Sequence, residues 1–455
     1  MSNRSHAIVI GASMGGLLAA RALADFFEQV TIIERDAFPP MGENRKGVPQ
    51  GRHTHALLLR GAEILEGLFP GLTADLVAQG VPLISRPERE LIWFDGGGYH
   101  APFVANEEGR TGTSGTLGVS RPLLEGYVRQ RVLALPNVCA IEQCDALGLL
   151  PSERGERVRG VRILRRAKGS AEEVLEAELA VDASGRGSQA PKWLESLGYA
   201  PPQEERVTVN LAGITCLYRR RPEHLDGAKA VLVALSPELK RGGVMVAQEG
   251  ERWNLSLFGF AGDQPPRNKD GFVAFARSLG APEIYRVIQD AEPLSDFLPY
   301  SVKANQRRRY ERLTRFPEGL LVLGDALCSF NPIYGQGMSV AAMEALDLQD
   351  ELRRGTEGLW QRFFRRAARS IDIPWQIVVS GDLRFPEAEG KRTPAIHFIN
   401  AYMAWLHRAA RRDPVVARAF NDVASLLAPP QSLMRPSIAW RVVQRNLFAR
   451  APTAA

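Results

Sequence analysis

Residues 6 to 34 constrain the fold more than any other stretch. His6-Ala7-Ile8-Val9-Ile10 is a short apolar run that leads directly into Gly11-Ala12-Ser13-Met14-Gly15-Gly16. Apolar residues at helical spacing follow (Leu17, Leu18, Ala20, Leu23, Ala24), then a second strand-like run, Val30-Thr31-Ile32-Ile33, closed by Glu34. Strand, glycine turn, helix, strand and terminal acid in that order make a βαβ unit suited to an adenine dinucleotide. Gly11 permits the tight turn, Gly16 lets helix and strand pack, and the free N–H groups of the helix start attract a pyrophosphate. Gly15 lies in the same turn. Glu34, with Arg35 beside it, is placed for a ribose hydroxyl pair. Ser13 stands where the usual pattern has its middle glycine; it is small, and its hydroxyl can itself reach a phosphate.

A second stretch, Gly324-Asp325-Ala326-Leu327-Cys328-Ser329-Phe330-Asn331-Pro332-Ile333-Tyr334-Gly335-Gln336-Gly337-Met338-Ser339, follows the apolar run Leu320 to Leu323. Asp325 therefore stands where a strand stops, at the mouth of an open sheet. Pro332, Gly335 and Gly337 shape a loop that lets backbone approach a flat ligand closely. A helical pattern from Met338 to Leu352 puts Gly335-Gln336-Gly337-Met338 at a helix start, whose dipole favours negative charge. A reduced flavin, negative around N1, suits such a place.

Between these stretches, Gly42 to His55 is a polar loop whose donors, Arg45 and Arg52 among them, suit either a flavin edge or phosphates, or a solvated surface. His53 and His55 have no third ligand nearby, so no metal is expected. Leu91 to His100 reads as a hairpin, and Ser120-Arg121-Pro122 opens a helix with Ser120 as N-cap. Val138 to Leu164 suggests a small antiparallel ribbon, and Leu179 to Ser188 is another strand ending in a glycine loop. From about 201 to 299, strand-like runs (Val207–Tyr218, Ala230–Leu235, Gly243–Gln248, Trp253–Phe260) precede two short helices. This texture predicts an antiparallel sheet roofing a pocket, with Trp253, Leu255, Leu257, Phe258 and Phe260 offering apolar faces. The fold expected is α/β: a Rossmann-like domain (1–85, 112–200, 300–381), an inserted mainly antiparallel substrate domain (86–111, 201–299), and a helical, basic C-terminal segment (382–455).

Charge matters for that last segment. The chain of 455 residues carries a net +6, yet from Lys391 onward ten Lys/Arg face two Asp, so the remainder is net acidic. A weak membrane-surface contact by this segment is one expectation and a solvated helical face is the other. No recognition motif for nucleic acid accompanies the charge. Four cysteines without a CxxC pair fit a reduced, cytoplasmic setting.

Taken together, GASMGG with Glu34, DASGRGS at 182–188, and the stretch from Gly324 to Ser339 resemble the single-component flavoprotein monooxygenases of the para-hydroxybenzoate hydroxylase fold. Within that family, Lys46-Gly47-Val48-Pro49-Gln50 with Arg52 to His55, and the GRGS ending, look most like the polyether-type polyene epoxidases and their squalene monooxygenase relatives. The resemblance implies FAD, with Glu34 on the adenosine ribose, Arg121 on the phosphate side and Asp325 on the ribityl chain. Pro332 and Gly335, Gln336, Gly337 and Met338 would border the ring, with Gly324 at the strand end. Asp182 and Gly185 match the family's third motif, although Ser184 interrupts its usual Asp-Gly pair. The halogenase WxWxIP stretch and the YxWxFP-like stretch of the prenyl-chain reductases are both absent.

The resemblance further implies one oxygen atom from O₂ entering a small lipophilic, unsaturated substrate, with alkene epoxidation through a flavin C4a-hydroperoxide as the leading reaction. The alternatives are aromatic or indole hydroxylation and reduction of a polyene or prenyl chain. Electrons would come from NAD(P)H met transiently, or from a separate flavin reductase, since no second dinucleotide motif exists. No side chain is assigned as catalytic.

Overall fold

The computed structural model describes residues 4–101 and 115–447. Positions 102–114 and 448–455, which the expected domain limits cross, lie outside the described residues. The first strand, Arg4–Ile10, lies at the centre of a five-stranded parallel sheet, flanked by Phe27–Ile33 and Leu179–Asp182, with Val138–Ile141 and Leu320–Val322 at the edges. Its residues Ala7 to Ile10 are buried on both faces, as a parallel sheet covered by helices requires. Burying each of Ile8, Val9 and Ile10 contributes about 1.5–3 kcal/mol before entropy is counted.

Register decides where chemistry can sit. Ile10 pairs with both Ile33 and Asp182, and Asp182 pairs with Val322, so four strands end on one line. Gly11, Glu34, Ala183 and Leu323–Gly324 therefore emerge together along one edge of the sheet. The helices Met14–Ala24 and Gly337–Leu352 pack side by side beneath this edge.

The roof is an eight-stranded mixed sheet containing Glu204–Arg219, Ala230–Val233, Arg241–Gln248, Arg252–Phe260 and the hairpin Leu91–Asp95/Gly98–Tyr99. Two expected limits move. Leu298–Arg308 pairs antiparallel with Glu204–Arg219, so residues 300 to 308 belong to the roof and not to the dinucleotide domain. Val138–Ile141 joins the parallel sheet beside Phe27–Ile33, and the antiparallel ribbon begins only at Cys144. In both cases short apolar runs read alike in either sheet, and only long-range pairing separates them.

Alternation along Arg252–Phe260 is real, but its two faces have different jobs. Trp253, Leu255 and Leu257 are fully buried against the helices Lys269–Arg277 and Glu283–Ile288, through Phe272, Phe275 and Ile284. These three are outer core and do not line a substrate space. Ser256 and Phe258 face the other way, and Phe260 stacks on Phe385 at 4.4 Å. After the long helix Leu359–Asp382, the helices Pro394–Ala410, Pro414–Ala424 and Pro436–Leu447 form a small core of their own around Leu406, Ala410, Val416 and Val442. No described helix is long and apolar enough to cross a membrane.

Candidate active site

A single cavity of about 1460 Å³ runs between the strand-end line, the roof and the C-terminal helices. That exceeds the ~300–1,000 Å³ of an ordinary one-ligand pocket, so it has room for a cofactor and a second molecule. Of the residues singled out from sequence, Gly11, Ser13, Gly15, Glu34, Arg35, Arg45, Arg121, Gly185, Gly324, Asp325, Pro332, Gly335, Gln336, Gly337 and Met338 all line it. Three do not. Gly16 lies behind the turn, where a Cβ would fall 1.8 Å from the Gly11 carbonyl oxygen; its absence of side chain serves packing. Arg52 is exposed and away from the cavity wall. Asp182 is fully buried: its carboxylate accepts from Ser184 N (2.9 Å), Ser184 Oγ (2.5 Å) and Ser188 Oγ (2.6 Å). Asp182 thus organises its own turn and leaves cavity contact to Gly185 and Arg186.

At the dinucleotide end, Glu34 Oε2 accepts from Ala12 N at 2.8 Å and meets Arg45 Nη1 at 2.8 Å. Arg45 also donates to Glu125 Oε1 (2.8 Å) and to the Ala12 carbonyl (3.1 Å). Arg121 donates to Glu125 Oε2 and to Ser13 Oγ, both at 2.8 Å. Burial alone would raise the Glu125 carboxyl, but Arg121 and Arg45 outweigh it and hold it below the usual range. Removing one member of such a buried set leaves an uncompensated charge, at a cost of ~3–5 kcal/mol. Glu125 stands with Ser120 and Arg121 in the helix start that resembles the family's, but no binding role was expected of it. Its signal was the spacing Arg121/Glu125, one helical turn apart behind the Ser120 N-cap, which accepts from Leu123 N at 3.3 Å.

At the other end of the strand line, the loop before Gly337–Leu352 is tied from behind. Asn331 Nδ2 and Tyr334 Oη donate to Asp382 Oδ1 at 3.1 and 3.0 Å, and Asn305 Nδ2 donates to Oδ2 at 2.7 Å. Burial pushes the Asp382 carboxyl up to about 6, against these three bonds. Gly335 needs its left-handed backbone (φ 66°) to turn the chain into the helix. Gln336 is buried, and its Oε1 has no partner among the described residues.

Sequence reasoning missed a polar chain under the roof. His53 Nδ1 lies 2.9 Å from Thr215 Oγ1, which lies 2.6 Å from Ser256 Oγ. The Tyr300 hydroxyl neighbours Ser256, and its ring sits 4.7 Å from that of His53. Thr54 Oγ1 joins through Ser256 Oγ at 2.9 Å and Asn254 Oδ1 at 2.7 Å. Burial and the charge of Arg52 lower His53 to about 4, and burial with Arg121 does the same to His55, so both are neutral near pH 7. His53 and Thr54 find their roof partners 162 to 202 positions away in the chain, with no local pattern to mark them.

The residues present fit an FAD. The first turn of Met14–Ala24 presents free amides for a pyrophosphate, with Ser13 Oγ beside them accepting from Arg121 (2.8 Å) and donating to Glu125 Oε2 (3.1 Å), Glu34 closes the second strand, and at Gly337 an added Cβ would find Asp325 Oδ1 only at 3.8 Å, leaving room for a flat ring beside the helix start.

No family model matches the chain. It is 34% identical to Protein Rv3254 of Mycobacterium tuberculosis, over 98% of this chain and 94% of that protein. It is 24% identical to a kynurenine 3-monooxygenase of Salinispora tropica, over 76% of this chain and 72% of that one. A flavoprotein/dehydrogenase from Cytophaga hutchinsonii superposes with a TM-score of 0.69 at 15% identity, covering 97% and 99% of the two chains.

Proposed function

We propose, for a chain that belongs to the flavin-dependent monooxygenase family, that it inserts one oxygen atom from O₂ into a large, apolar, unsaturated molecule, with alkene epoxidation as the leading reaction. The observation that carries this reading is the cavity: one end is built for a dinucleotide, and the rest carries an apolar stretch of Leu235, Val244, Val246, Phe258, Ile377 and Phe420, with polar residues such as Tyr300, Gln376 and Asn421 between them. Bound FAD, once reduced, supplies the electrons that activate O₂ and delivers the oxygen atom. The chain's own residues bind, orient and exclude water. The first-turn amides beside Ser13 hold the pyrophosphate, Glu34 the ribose, and Asp325 the ribityl chain. The Asn331–Met338 loop, clamped by Asp382, fixes the ring edge, and the helix start at Gly337 steadies its negative charge. The apolar wall keeps water from the transfer step.

One observation favours a second reading, hydroxylation of an aromatic ring. The chain His53–Thr215–Ser256 with Tyr300 alongside can hydrogen-bond and orient a ring hydroxyl, with neutral His53, too weak a base to keep the proton, as one link of a relay. Epoxidation needs no such group. Reduction of a polyene chain is the third outcome. Electrons would come from transiently bound NAD(P)H or from a flavin reductase. The exposed Phe398, Trp440 and Leu447 on basic helices suit a weak membrane-surface contact.

Turnover of candidate polyenes and phenols under ¹⁸O₂, with products read by mass spectrometry, tests the proposal. One labelled oxygen across an alkene supports epoxidation. One on an aromatic ring selects hydroxylation, and a gain of two hydrogens without label refutes oxygen insertion.

A further inference from the structure

Charge is unevenly balanced along the cavity. Five arginines line it: Arg35, Arg45, Arg121, Arg186 and Arg384. The first four stand at the cofactor end among carboxylates. Arg45 meets Glu34 and Glu125, Arg121 meets Glu125, and Arg186 Nε lies 3.7 Å from Asp325 Oδ2. Arg35 directly follows Glu34 in the chain. The acids that line the cavity, Glu34, Asp145 and Asp325, belong to that end as well. Arg384 is the cation left over.

It lies two residues past the end of the long helix Leu359–Asp382, whose Gln376, Ile377, Ser380 and Gly381 line the chamber one turn apart. Arg384 Nε donates to the Gly381 carbonyl at 3.1 Å, which holds the guanidinium in place. Neither Nη has a hydrogen-bond or ion-pair partner among the described residues, and neither is sealed from the cavity. The charge of Arg384 acts on Tyr334 and Asp382 and on His407, so it stands where the ring-side loop faces the helix Pro394–Ala410. Neighbouring acids do not reach it. Asp382 is buried behind the wall, its oxygens bonded by Asn331, Tyr334 and Asn305. Asp95, 3.4 Å from His407 Nδ1, is taken by Arg411. A cation at a helix C-terminus suits the dipole, but that role occupies Nε alone. The two Nη remain as a planar fork that matches a carboxylate.

We propose that Arg384 is a specificity-determining residue: its free Nη pair takes a carboxylate at one end of an otherwise apolar substrate, so the molecule that is oxygenated is an acid. This rests on the monooxygenase reading of the same cavity.

The test uses the FAD-loaded full chain and two pairs of probes, farnesoic acid with its methyl ester and cinnamic acid with its methyl ester. Within each pair the probes differ in charge at one end. Binding is read from flavin absorbance and tryptophan fluorescence. The wild type should prefer the acid in at least one pair by about 10-fold or more, the value of a charge-assisted hydrogen bond, and added NaCl should narrow the preference. Arg384→Gln, which keeps a donor for the Gly381 carbonyl, should bring the ratio to about 1 at unchanged flavin content. Arg384→Lys, which keeps the charge and loses the fork, should retain part of it. Equal affinity of the wild type for acid and ester in both pairs, absence of binding included, overturns the proposal. So does an acid preference that survives Arg384→Gln, including the case in which that variant only needs more NADPH to reduce its flavin, which would give the fork to a nucleotide phosphate. If Arg384→Gln loses its flavin, Arg384→Lys decides: a full wild-type preference, indifferent to NaCl, overturns the proposal. Acid preference without ¹⁸O incorporation would refute oxygen insertion and leave Arg384 in its role; incorporation without acid preference would do the reverse.

Discussion

Replacing Glu344 by Gln removes a titratable group from the middle of the helix that follows the glycine loop. Glu344 is fully buried, Gly324 N donates to its Oε2 at 2.5 Å, and its Oε1 has no partner among the described residues. Burial raises its carboxyl, the Gly324 bond works against that, and the charges of Asp347 and Asp325 add to it, for a value of about 8 against 4.5 for a free side chain. Between those two values the native state holds a proton that the unfolded chain has released. The group's contribution is therefore fully present below pH 4.5 and is lost as pH rises to 8. The slope is about 1.4 kcal/mol per pH unit, or about 5 kcal/mol across the whole window, to order of magnitude. Gln keeps an oxygen for Gly324 N and carries no charge, so Glu344→Gln should be the more stable protein at alkaline pH. Chemical unfolding of both proteins at pH 6, 7, 8 and 9 measures the gap, which should widen by about 3 kcal/mol between pH 6 and pH 9. A gap that stays constant over that range would show that Glu344 does not titrate there, and the account of the strand end under Gly324 would fail with it.

Gly16→Ala places a methyl 1.8 Å from the Gly11 carbonyl and must displace backbone, so bound flavin per chain, read by absorbance, should fall sharply. A normal flavin complement would mean that the turn relaxes freely. Asp325→Ala should weaken FAD binding by ~10- to 150-fold, the loss of about 1.5–3 kcal/mol from a charged hydrogen-bond acceptor; full retention after dialysis would remove Asp325 from the site. Tyr334→Ala frees one corner of the Asp382 clamp and opens the cavity, so the position or number of oxygenations should change more than flavin content does. Loss of flavin in proportion to activity would assign the loop to the cofactor alone.

The cofactor half of this protein is legible in one dimension because its determinants are local. A strand, a glycine turn and a helix start lie within a dozen residues, and their sterics allow few other folds. The same locality explains Gly11, Ser13, Glu34, Asp325 and the loop to Met338, each of which lines the cavity. Asp182 misled for the same reason: its motif marks a turn, and three hydrogen bonds inside that turn use up the carboxylate. The substrate half is different. Whether Leu255 or Phe258 meets the cavity depends on which face of Arg252–Phe260 the two short helices cover, and a period of two leaves that choice open. His53 finds Thr215 and Ser256, and Asp95 finds His407, only because the roof sheet and the C-terminal helices fold over the strand ends. Those contacts join residues 41 to more than 300 positions apart, so long-range packing, and no local pattern, decided where the polar groups of the substrate chamber stand.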